Sequence, residues 1–170
     1  MNKSSKLLLV LRHAKSSWEF ADLSDHDRPL NNRGKRDAPK IGKKLLKEGL
    51  VPHLIISSSA IRAHSTAKKV AKACGYEEEI LIDPTLYDSG HSEYLNALRI
   101  QDDRYYIIML VGHNPVSEEL VELLTGEMVT MPTCAVACMR LPIESWRQIK
   151  PQMRGELLNL WSPKESRLDQ

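Results

Sequence analysis

Five consecutive apolar residues, at positions 7–11, run directly into Arg12 and His13. An unbroken apolar run of this length fits a buried strand. The chain then repeats the theme. Strands are expected at 53–57, 80–82 and 106–111, and between them lie stretches of helical spacing at 33–48, from about 60 to 74, around 92–100, and 115–124. In the first of these, Ile41, Leu45 and Leu46 fall on one helical face, with Gly49 and Pro52 ending the element; Gly75 ends the second. Strands separated by helices imply right-handed crossovers and a mainly parallel sheet, so the fold class is α/β. The tail alternates differently: 133–141 and 156–161 read as strands around a turn near Pro151. Lys35, Lys40, Lys43, Lys44 and Lys47 form the solvated face of the first helix rather than a binding patch.

The bounds are ordinary. A length of 170 residues with 42% hydrophobic content suits one globular domain. A formal charge of +2, with no basic stretch interleaved with aromatics, argues against a nucleic-acid partner. The opening apolar run is too short for a signal-peptide core or a membrane helix. The odd set Cys74, Cys134 and Cys138 lacks Cys-x-x-Cys spacing. Cys134 and Cys138 are expected on one strand face as small buried hydrophobes, and the compartment as the reducing cytoplasm.

Three strand ends carry the chemistry. The first presents Arg12-His13. The second reads Ser-Ser-Ser-Ala-Ile-Arg from Ser57, where Ser58 or Ser59 can cap a helix whose first turn holds Arg62. The third places His113 after a buried strand, with Asn114 as a cap and Pro115 at the first helical position. Parallel strands bring such ends to one edge, where ligands of open α/β sheets bind. Two guanidinium forks and two imidazoles suit a phosphoryl group. The forks neutralise its oxygens, and a neutral imidazole has a lone pair for attack on phosphorus. This chemistry requires no metal or cofactor. The triplet Asp25-His26-Asp27 has no partner ligands at metal-site spacing and reads as turn chemistry rather than a metal site. Arg28 and Ser16 are candidates to extend the anion pocket; a surface ion pair is the alternative for Arg28. Trp18 either walls the pocket or packs, His64 falls on a different helical face from Arg62, and Trp146 and Trp161 read as core.

Taken together, Arg12-His13, Arg62 and Gly112-His113 resemble the histidine phosphatase superfamily, which includes phosphoglycerate mutases and acid phosphatases. More narrowly, Arg-His-Ala-Lys-Ser-Ser-Trp from Arg12, then Asp27-Arg28-Pro29-Leu30 and Arg33-Gly34, are similar to the short phosphohistidine phosphatase branch called SixA. The resemblance implies a phosphoglycerate-mutase-like three-layer sandwich, with helices on both faces of a mostly parallel central sheet. It implies that His13 carries the phosphoryl group covalently while Arg12, Arg62 and His113 bind it. The substrate would be phosphohistidine, including a phosphohistidine-bearing protein, or a small phosphoramidate or phosphomonoester; no membrane partner is implied, and oligomeric state stays open. Ala14 stands where the family usually has glycine, and Glu19 where mutases have asparagine. The insertions that hold sugar phosphates in mutases are absent, which counts against a mutase. Leu86-Tyr87-Asp88 makes Asp88 the candidate general acid, with a loop aspartate capping the next helix as the alternative. A phosphoester phosphatase of the same superfamily and a catalytically weak phospho-ligand-binding module remain the competing functions.

Overall fold

The computed structural model describes residues 4–164. Its centre is the apolar run at the start of the chain, now β1 (Lys6–Arg12). A strand can be apolar at every position only if both of its faces are covered, because successive side chains point to opposite sides. Leu8 and Val10 join a core half with residues of α3 (His91–Arg99) and α4 (Val116–Thr125). Leu7, Leu9 and Leu11 join the other half with α1 (Asn32–Lys47) and α2 (Ile61–Cys74). Helices thus flank the sheet on both faces, giving the expected α/β sandwich.

The sheet has six strands in the order β3-β2-β4-β1-β5-β6. The strands β2 (Leu54–Ser58), β3 (Leu81–Asp83) and β4 (Ile107–Gly112) run parallel to β1. The antiparallel members are β5 (Val136–Leu141), paired with β1, and β6 (Glu156–Trp161), paired with β5. Expected elements and observed ones differ mostly by a residue at each end. The main correction is β5, which begins at Val136 because Cys134 has a positive φ of 65° and turns the chain out of strand geometry. Cys134 therefore shares a core half with Cys138 but not a strand; both thiols are free and buried. His91 is the first residue of α3. Trp146 is fully buried, whereas Trp161 on edge strand β6 is half-buried against Lys44. Among the described residues, no helix is long and apolar enough to cross a membrane.

Parallel pairing sets Arg12 opposite Gly112 across β1 and β4, and β2 pairs beside β4 up to Ser57–Val111. The carboxyl ends of β1, β2 and β4 consequently open onto one edge.

Candidate active site

His13 leaves β1 with its backbone fixed on both sides. Its N–H donates to the Gly112 carbonyl (3.0 Å), and its carbonyl accepts from the Cys134 N–H (3.0 Å). Helix α1 approaches the next turn so closely that a Cβ at Gly34 would sit 2.2 Å from the Lys15 carbonyl oxygen. Helix α2 is tied to the same turn through Thr66, whose hydroxyl donates to the Arg62 carbonyl (2.6 Å) and accepts from the Ala14 N–H (2.9 Å). The segment after β1 is therefore held by sheet, α1 and α2 together.

The imidazoles face each other, with ring centroids 5.2 Å apart. His13 Nδ1 lies 2.8 Å from the Ala14 carbonyl. A carbonyl only accepts, so Nδ1 carries the proton and Nε2 keeps its lone pair. Burial, joined by the charges of His113, Arg62 and Arg12, outweighs that supporting hydrogen bond and pushes His13 down to about 3. Burial and the nearby Arg62 push His113 down to about 4. Both rings are neutral at pH 7.

These residues line a cleft of about 330 Å3 together with Arg12, Ser16, Trp18, Arg28, Arg62 and Asp88. All seven residues proposed from the sequence for catalysis or substrate binding, and Trp18 with them, meet there. Four side-chain atoms among the described residues are buried without a hydrogen-bond partner: Arg12 Nε, Arg62 Nε, Ser89 Oγ and Asn114 Oδ1. All four belong to residues of this cleft. Unpaired buried polar atoms cost free energy, and their concentration in one place marks where a polar ligand belongs. Arg12 is anchored through Nη1 to the Met131 carbonyl (3.0 Å).

Several local expectations are corrected. Neither Ser58 nor Ser59 caps α2 from the cap position, which is Ala60. Ser58 Oγ instead accepts from the Ala60 N–H (3.2 Å) and is hydrogen bonded to His113 Nε2 (2.8 Å), while Ser59 Oγ is bonded to His26 Nε2 (2.9 Å). Pro115 precedes α4 instead of opening it, and Asn114 does not cap it: Nδ2 donates to Glu118 Oε1 and the Met131 carbonyl, while Oδ1 accepts from no helix N–H. Asp88 does not cap α3, whose cap is Gly90; it is exposed at the cleft rim with φ 51°.

Residues 25–27 form a single 3-10 turn, from which Asp25 reaches into the site. Asp25 accepts from Arg28 Nε (3.1 Å), Arg62 Nη2 (2.9 Å) and the Tyr87 hydroxyl (2.8 Å). Burial raises its pKa, but these three donors and the Arg62 charge prevail and hold it at about 2. Arg28 is buried, so it is no surface side chain, yet most of its N–H groups are taken: Nη1 donates to Ser16 Oγ (2.8 Å) and the Ser17 carbonyl. Trp18 walls the cleft by lying over the Arg28 guanidinium, 3.6 Å from ring centroid to Cζ. Sequence reasoning missed Asp25, Tyr87, Ser58 and Tyr94. Their one legible signal was Asp25 set three residues before Arg28, the only neighbour of its hub that is close in the chain.

Residues 8–107 match the model of the histidine phosphatase superfamily (branch 1). An uncharacterised chloroplastic protein of Arabidopsis thaliana is 35% identical over 153 residues, covering 85% of this chain and 70% of its own. A structure from Agrobacterium tumefaciens assigned as the phosphohistidine phosphatase SixA is 28% identical, covers 93% of this chain and 98% of its own, and superposes with a TM-score of 0.78. Another so assigned, from Nakamurella multipartitia, is 22% identical with a TM-score of 0.81, covering 94% and 96% of the two chains. With its arginines and paired histidines gathered at one sheet edge and residues 8–107 matched by the family model, the chain belongs to the histidine phosphatase superfamily, with the SixA-like fold.

Proposed function

We propose that this protein is a metal-independent phosphatase that hydrolyses phosphohistidine, or a related small phosphoramidate or phosphomonoester, through a phospho-His13 intermediate. The observation that carries the reading is His13 itself: a buried, neutral imidazole with Nδ1 tied to a carbonyl and Nε2 left free beside unpaired guanidinium N–H groups. The Nε2 lone pair attacks phosphorus, a bond to His13 forms, and the bond from phosphorus to the leaving nitrogen or oxygen breaks. Arg12 and Arg62 hold the phosphoryl oxygens as charge spreads over them, and His113 donates a hydrogen bond. The guanidinium charges take the part that a divalent cation plays in other phosphoryl-transfer sites. Water then attacks phospho-His13, releases phosphate and restores the imidazole.

Asp88 at the rim is the proposed proton donor to an alkoxide leaving group. An imidazole leaves more readily than an alkoxide and depends less on that proton. With the candidate acid Asp88 exposed at the rim, the site favours phosphohistidine, and the 28% identical SixA relative supports the same substrate class. The test is to quench the enzyme during turnover of a phosphohistidine peptide and locate phosphate by mass spectrometry. Phosphate on His13, with turnover of an aryl phosphate in chelator that His13→Ala abolishes, is the expected result. Chelator-sensitive activity that survives His13→Ala refutes it.

A further inference from the structure

Among the described residues, Asp25 is the one acidic side chain that grips the phosphate-site arginines directly, and its placement is specific to one edge of Arg62. The carbonyl of Asp25 accepts from Arg62 Nη1 (2.7 Å) while its carboxylate accepts from Nη2 (2.9 Å). A guanidinium has two faces for bidentate binding: the end formed by Nη1 and Nη2, and the side formed by Nε and one Nη. Asp25 occupies the end. The side edge retains Nε, which is buried and has no protein acceptor, on a residue that lines the cleft. The second carboxylate oxygen takes Arg28 Nε (3.1 Å), and the Tyr87 hydroxyl donates to the oxygen that holds Arg62 (2.8 Å).

A stabilising role alone explains this poorly. The Asp25 side chain is 52% exposed, and ion pairs with an exposed partner contribute little to folding. A purely electrostatic role would be adverse, because a carboxylate beside the site repels the phosphoryl group. What the arrangement does provide is a fixed orientation for a long, otherwise rotatable side chain.

We propose that Asp25 is a positioning residue, which clamps the end of the Arg62 guanidinium so that its Nε edge is presented to the phosphoryl oxygens. The inference rests on the phosphatase reading above. It makes a prediction opposite in sign to simple charge repulsion. Repulsion alone says that Asp25→Asn tightens anion binding; positioning says that it weakens it.

Inorganic phosphate binding is measured by calorimetry, and KM and kcat with an aryl phosphate, for wild type, Asp25→Asn, Asp25→Glu, Arg62→Ala and the double variant Asp25→Asn with Arg62→Ala. Asp25→Glu keeps the charge but displaces the carboxylate by a methylene, so it separates position from charge. The expected result is phosphate affinity lowered about five- to fifty-fold by both single Asp25 changes, with the larger effect on KM, and less than a twofold further loss when Asp25→Asn is added to Arg62→Ala. Tighter binding in Asp25→Asn, wild-type binding in Asp25→Glu, or additive losses overturn the positioning role while leaving the phosphatase reading intact. A wild-type protein that ignores phosphate, with Arg62→Ala indistinguishable from it, overturns the underlying site as well.

Discussion

Gly112 is where packing and the site depend on one hydrogen atom. A Cβ added there would lie 2.1 Å from the Tyr94 hydroxyl oxygen and 2.8 Å from Cε1 and Cζ of the same ring. To reach ordinary contact the ring has to recede by more than an ångström. Tyr94 is fully buried, and its hydroxyl donates to the Leu86 carbonyl (3.1 Å) and accepts from the His113 N–H (3.2 Å). Gly112 cannot yield either, since it pairs with Arg12 in the sheet and its carbonyl holds the His13 N–H (3.0 Å). Overpacking costs about 1–3 kcal/mol and the two strained hydrogen bonds about 1 kcal/mol each, so Gly112→Ala is expected to destabilise by about 3–5 kcal/mol. That is a large part of a typical domain's total of about 5–15 kcal/mol. In urea, with a slope of about 2 kcal/mol per molar, the unfolding midpoint should fall by about 1.5–2.5 M. The displacement of His113 should lower kcat about tenfold or more. Gly90→Ala is the control: its Cβ meets nothing nearer than Glu93 Oε2 at 3.8 Å, and its cost at the helix cap should stay under about 1 kcal/mol. A Gly112→Ala protein that melts with the wild type refutes the argument that Tyr94 and Gly112 jointly set His113.

Two further outcomes follow from the same geometry. His13 and His113 titrate at about 3 and about 4 when folded but near their ordinary value of about 6.5 when unfolded, so between those limits the unfolded chain binds more protons. Stability is then full above about pH 7 and falls as pH drops from about 6.5 towards 4, at up to about 1.4 kcal/mol per pH unit for each ring; Asp25, lowered to about 2, adds its loss only below its unfolded value near 4. Urea midpoints at pH 7, 6 and 5 should show the decline, with His13→Asn removing about half of its slope, and an unchanged slope in that variant would count against a buried neutral His13. Asp88→Asn should leave aryl phosphate turnover within about twofold and lower alkyl phosphate turnover about tenfold or more, because only the poorer leaving group needs its proton; equal loss on both substrates removes Asp88 from the role of acid.

The fold was legible because its core strands are covered on both faces. Apolar runs at 7–11 and 106–111 carry no period-two signal, and between helical stretches they admit little besides a parallel sheet. Edges were harder: positions 133–135 look apolar enough for a strand, but Cys134 adopts a positive φ and its N–H is bonded to the His13 carbonyl across the chain. Arg12, His13, Arg62 and His113 were readable since each sits within a few residues of a strand end, so local order fixes where they emerge.

The sequence by itself determined the elements, their order, and therefore that these four residues reach a common edge. Only tertiary structure decided how they are held. Asp25 gathers partners at 28, 62 and 87, Ser58 meets His113, and Tyr94 meets Gly112, pairings between segments whose separation in the chain says nothing of their distance in space. Strand and helix propensities act over a few neighbouring residues, whereas hydrogen-bond partners are chosen by packing, after the sheet and its two helical layers have brought remote loops together.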